Sequence, residues 1–180
     1  MNTRKFYDIP IVGLKPGIHN YEFEITDEFF KDEYATQEFE NCKALVKVEL
    51  EKNASVYTLK FDIGGSVDVM CDRCGNTIVT NLWDEFNVMV KVDDNAEELN
   101  ENEEDPDIFY ITRTESVINM STWIYEFINL SIPNIRECAP KDDGTSGCNP
   151  EVLDMLESMK NNVENKKEIW KGLDKLKGLN

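Results

Sequence analysis

The sequence predicts an α+β fold: an antiparallel β-sheet or partly open barrel covered by one or two helices, with a helical C-terminal tail. Three observations lead there. Between Ala44 and Val92 apolar and polar residues alternate with the period of two that a strand with one wet face requires. From Val117 to Ile128 the apolar residues recur at helical spacing instead. Two separated thiol pairs, Cys71/Cys74 and Cys138/Cys148, complete the pattern by tying a strand turn to a distant loop.

Taken in order, Tyr7 to Leu14 is a short apolar stretch, and Leu14-Lys15-Pro16-Gly17 supplies a turn. Ile18 to Ile25 then alternates, with Tyr21, Phe23 and Ile25 on one side and His19, the only histidine, assigned to the polar face. Thr26-Asp27-Glu28-Phe29-Phe30 reads as a cap and a short helix. Ala44, Val46, Val48 and Leu50 form one face of a strand. Tyr57, Leu59, Phe61 and Ile63 repeat the pattern after a turn at Lys52-Asn53-Ala54-Ser55. Gly64-Gly65 is expected to break or bulge the second strand. Val67 and Val69 lead into Cys71-Asp72-Arg73-Cys74, and strand pattern resumes from Thr77 to Val92. The cysteines thus sit at a hairpin end, where backbone amides can point at sulfur.

Asp93 to Asp107 carries nine acids and almost no apolar residue, a composition that predicts a solvated, unstructured loop. A sharper reading makes it an acidic arm that mimics phosphate on a basic protein surface. Ile108-Phe109-Tyr110-Ile111 is a short strand. Thr114 is expected to cap a helix through Val117, Met120, Ile124, Phe127 and Ile128 that covers the sheet and ends at Leu130-Ser131-Ile132-Pro133. The loop 134–150 holds the second thiol pair, and Asn149-Pro150-Glu151 opens a last helical stretch through Met159. Residues 1–159 read as one domain and 160–180 as a lysine-rich amphipathic helical tail. In the tail Lys166, Lys167, Lys171 and Lys175 flank an apolar stripe that includes Trp170. Lys166, Lys167, Trp170, Lys171 and Lys175 are candidate partner-binding residues. The competing reading is a helix that packs Trp170 on its own domain.

A net charge of −17 over 180 residues repels phosphate backbone and disfavours generic nucleic-acid binding. No apolar run approaches membrane-span length, no signal-peptide core is seen, and five cysteines are an odd count. Reduced thiols in a cytoplasmic protein follow. Cys71, Cys74, Cys138 and Cys148 then form a candidate ligand set for a closed, structural zinc site, while Cys42 reads as a buried thiol. The alternative is a redox-responsive binding protein using the same pairs. Enzyme chemistry is not expected: there is no phosphate loop, nucleophile motif or paired carboxylates, and four thiolates would leave a metal no open position.

The chain resembles the YceD family of large ribosomal RNA subunit accumulation proteins. The matching features are strand-embedded Cys71-Asp72-Arg73-Cys74, an acidic insertion before a helix ending in Leu130-Ser131-Ile132-Pro133, and a loop closing on Cys148-Asn149-Pro150-Glu151-Val152-Leu153. The resemblance spans roughly residues 10 to 158 and leaves the tail beyond Lys160 outside. Gly75 stands where the family usually has an apolar residue, and Cys138 where many relatives carry histidine, an exchange between two zinc ligands. What the resemblance implies is a non-enzymatic ribosome-assembly factor. Its partner would be a ribosomal protein or a large-subunit precursor particle, with direct RNA contact left open and neither a membrane nor a small-molecule substrate involved.

Overall fold

The computed structural model describes residues 3–31 and 37–165, and for 3–4 and 161–165 the backbone alone. Among them the chain divides into two compact units. One runs up to Val69 and includes Val79–Asn134; the other joins Met70–Ile78 to the described chain after Asn134.

The first unit is built on a five-stranded sheet of order β2-β3-β4-β5-β6 that does not close into a barrel. Its strands are β2 (Gly17–Thr26), β3 (Phe39–Asn53), β4 (Val56–Met70), β5 (Thr77–Val92) and β6 (Ile108–Ile111). A short β1 (Asp8–Pro10) pairs apart from it with β7 (Val117–Asn119), Ile9 opposite Ile118. The helices are α1 (Asp27–Phe30), α2 (Ala96–Asn102), α3 (Ser121–Leu130) and, in the second unit, α4 (Pro150–Asn165). The α+β expectation is met.

Alternation sets the two faces. Val46, Val48 and Leu50 on β3 and Leu59, Phe61 and Ile63 on β4 are buried. The α3 residues Trp123, Ile124, Phe127 and Ile128 are buried with them. Phe127 stacks on Phe86 at 4.2 Å and meets Phe61 edge-on at 5.0 Å, so α3 covers the sheet as its aromatic content suggests. Each such side chain contributes about 1.5–3 kcal/mol by leaving water. The opposite positions face outward: Glu22 and Glu24 on β2, Lys43, Lys47, Glu49 and Glu51 on β3, and Lys60, Asp62 and Asp68 on β4. His19 lies with the inward-facing residues of β2, not on its polar face, and its Nε2 is 2.9 Å from the Lys15 carbonyl.

Four local expectations are corrected. β5 and β6 pair in parallel, so the sheet is mixed rather than antiparallel throughout. Parallel neighbours need a crossover of a dozen or so residues, and the acidic segment 93–107 provides it. It contains α2, whose Asn100 side chain donates to the Tyr110 carbonyl and accepts from the Tyr110 amide, both at 2.8 Å. Its composition predicts an unstructured segment and carries no trace of the pairing. Third, Val117 belongs to β7, and Thr114 lies in the preceding turn. The helix begins at Ser121, whose amide is accepted by Asn119 Oδ1 at 3.0 Å. Fourth, the sheet irregularity lies in β3, where the register slips between Glu40 and Lys43 and Asn41 takes φ 52°. Gly65 stays in its strand opposite Ala44, and only glycine fits there because a Cβ would come within 2.2 Å of the Lys43 carbonyl oxygen.

Candidate metal centre

The second unit brings the two thiol pairs together. Its first piece is the end of the β4–β5 hairpin. The Cys71 amide donates to the Asn76 carbonyl at 2.8 Å and the Gly75 amide to the Cys71 carbonyl at 2.9 Å. Gly75 has φ 73°, the left-handed conformation that glycine adopts without cost. This accounts for glycine at a position where the resemblance implies an apolar residue.

The second piece is the loop after Asn134. It is joined to the hairpin end through Asp72 and Arg136. The Asp72 amide donates to the Arg136 carbonyl at 2.8 Å, and the Arg136 amide returns to Asp72 Oδ2 at 2.8 Å. The Arg136 guanidinium lies 3.2 Å from Asp72 Oδ1. The Arg136 amide, with the Arg136 guanidinium, holds the Asp72 carboxyl below the ordinary aspartate range. Gly147 lets the loop fold on itself, since a Cβ would sit 2.1 Å from the Ala139 carbonyl oxygen. Cys148 follows, its amide donating to Ser146 Oγ at 3.2 Å. Asn149 Oδ1 then accepts the Glu151 amide at 3.0 Å and caps α4, with Pro150 at the first helical position.

The result is a cluster of four sulfurs. Cys71 and Cys148 Sγ are 3.9 Å apart, Cys74 and Cys138 Sγ 3.6 Å apart, and all four lie within 4.8 Å of one another. None is in a disulfide. Ligands at about 2.3 Å from a tetrahedral ion stand about 3.8 Å from each other, so the spacing suits one ion held by four thiolates. Cys71 and Cys148 are buried, and Cys74 and Cys138 are partly exposed.

Electrostatics divides the four. Burial works to raise the Cys71 thiol, but the amides of Arg73, Cys74 and Cys138 and the Cys74 thiol bring it down to about 6. The Asn149 and Asn76 amides lower Cys74. Burial, reinforced by its sulfur neighbours, pushes Cys138 up to about 12. The raised Cys138 thiol therefore favours its protonated form at neutral pH, and a cation among the sulfurs would favour its thiolate.

Other candidates lie elsewhere. Cys42 is 2% exposed and its thiol is pushed up to about 12 by burial and the Asp27 carboxylate, as suits an inert core thiol. Lys166, Lys167, Trp170, Lys171 and Lys175 lie outside the described residues. Asp72, Arg136 and Gly147 support the cluster, yet only Asp72 falls inside a motif visible in the sequence. Among the described residues no helix is long and apolar enough to cross a membrane.

A family model described as large ribosomal RNA subunit accumulation protein YceD matches residues 59–177. The match contains all four clustered cysteines. It begins later than residue 10 and extends through the lysine-rich segment, which the resemblance had been expected to exclude. Neither a curated protein nor a solved structure matches the chain.

Proposed function

The chain belongs to the YceD family, whose name points to the accumulation of large-subunit ribosomal RNA, and from that premise we propose a non-enzymatic, cytoplasmic ribosome-assembly factor. In this reading Cys71, Cys74, Cys138 and Cys148 hold a structural zinc ion, and the partner is a ribosomal protein or a large-subunit precursor particle. The observation that carries the metal is the convergence of four sulfurs within 4.8 Å from segments 64 or more residues apart. An all-sulfur, half-buried donor set favours zinc over harder cations, and four thiolates would leave no position for substrate. Bound there, the ion would supply charge neutralisation and a fixed joint between hairpin end and loop. The chain's net charge of −17 suits a basic protein better than bare RNA.

The test is metal content of the purified protein beside Cys148→Ser, with affinity capture from cells. The expected result is one zinc per chain, lost in the variant, and recovery of ribosomal proteins or large-subunit precursor. Metal-free protein with unchanged stability in the variant rejects the zinc. Capture that recovers neither partner rejects the assembly role.

The lowered Cys71 thiol favours a second reading, a redox-responsive binding protein. Its burial at 3% exposure weighs against it. Thiols that stay inert to a labelling reagent in both metal-loaded and metal-free protein would remove this alternative.

A further inference from the structure

We propose that the outward sheet face around Trp83 docks an extended, arginine-rich segment of a basic protein partner. The inference rests on the reading of the chain as a factor that acts through a protein partner, and it uses no residue of the metal centre.

Trp83 is 80% exposed, an unusual position for the largest apolar side chain, and Val79 on the same face of β5 is 72% exposed. What lies beside Trp83 follows from the ladder. The Val92 amide bonds the Ser55 carbonyl at one end and the Cys71 amide bonds the Asn76 carbonyl at the other. Both bonds fit a single antiparallel register, in which Trp83 stands opposite Gly64. Gly64 pairs with Leu45, and Leu45 with Glu24. One row across the outward face therefore reads Glu24, Leu45, Gly64, Trp83.

Glycine in that row leaves a gap: a Cβ built on Gly64 meets nothing within 4 Å. A cavity of about 460 Å³ opens there, with Leu45 and Gly64 in its lining and Glu24, Asp62, Lys43 and Lys47 among its charged groups. A flat group lying over Gly64 would have Leu45 on the cavity side of the row and Trp83, which stands outside the cavity lining, as the next residue of the row on the other side. A guanidinium fits this description, because it is planar, stacks on indole and presents N–H donors to Glu24 and Asp62. Acids outnumber lysines on the outward positions of β2 to β4, and Lys60 is already paired with Glu85 at 2.9 Å. Phosphate would be repelled by that excess, whereas a basic peptide is attracted. An extended segment sends alternate side chains to one face, which matches a flat, row-like surface.

The test is fluorescence anisotropy with a labelled peptide of alternating arginine and glycine, a citrulline-for-arginine control and a single-stranded RNA oligomer. The arginine peptide is expected to bind in a salt-sensitive manner and the citrulline peptide and RNA not to bind. Trp83→Ala should weaken the peptide about tenfold, which corresponds to about 1.4 kcal/mol. Gly64→Val should do the same by filling the gap, and its side chain enters open space, so the sheet should persist by circular dichroism. Absence of peptide binding, equal binding by both variants, or Trp83-dependent binding of RNA in place of peptide would overturn the inference. Metal content read on the same samples separates the two proposals: metal-free protein that still binds the peptide refutes the zinc alone, and zinc-loaded protein that ignores it refutes the docking face alone.

Discussion

Asp72 is the residue on which the order of the cysteine cluster turns. It occupies the first variable position of the CxxC turn, yet its side chain reaches the loop carrying Cys138 through the Arg136 amide and guanidinium. Its partner lies 64 residues away, and nothing in the local sequence of either residue announces the pairing. The cysteines were legible because sulfur at that spacing has few other uses; the carboxylate that joins the hairpin end to the Arg136 loop was not, because Asp is common in turns for many reasons. Asp72→Asn retains the shape and loses the charge. It should weaken zinc binding about tenfold or more, in the range typical of groups that orient ligands. Competition against a chromophoric chelator measures this, and an unchanged affinity would make the pair incidental. The sign with pH is also fixed. Because the folded carboxyl sits below its unfolded value, its contribution is full above the unfolded pKa and is lost as pH falls through the folded one.

At the level of elements, the sequence spoke clearly where a pattern is local. The β3–β4 hairpin joined by Ala54-Ser55 and the covering helix were readable from periods of two and about 3.6 residues. Val117, Met120 and Ile124 kept helical spacing by coincidence, and pairing of Val117–Asn119 with β1 more than a hundred residues earlier claimed the first of them for a strand. The parallel β5–β6 pair was equally invisible, and with it the role of the acidic crossover. Asn100 is the link between α2 and β6. Removing its amide in Asn100→Ala deletes two hydrogen bonds to the Tyr110 backbone and should cost about 1–2 kcal/mol. Urea unfolding would show a lower midpoint, and amide exchange of residues 108–111 would quicken. If neither moves, the crossover is held by something other than this contact.

Across the whole molecule, the two units differ in what can hold them. The first has an apolar core running from Val46 and Phe61 to Ile124 and Phe127. The second, among its described residues, buries only Cys71 and Cys148 below a tenth of their exposure. So little apolar burial among the described residues gives weight to another source of stability, and a metal ion on four thiolates is one that these side chains would offer. Chelation should therefore act unevenly. Once a strong zinc chelator has been added, amides in 70–78 and 135–149 should exchange rapidly, while the centres of β3 and β4 stay protected. Lowering the pH should give the same pattern, because protons compete for the thiolates and metal affinity falls as pH falls. Hydrogen exchange read by mass spectrometry resolves these segments directly. Uniform protection before and after chelation would show that the second unit stands without a metal, and the four sulfurs would then be packing atoms only.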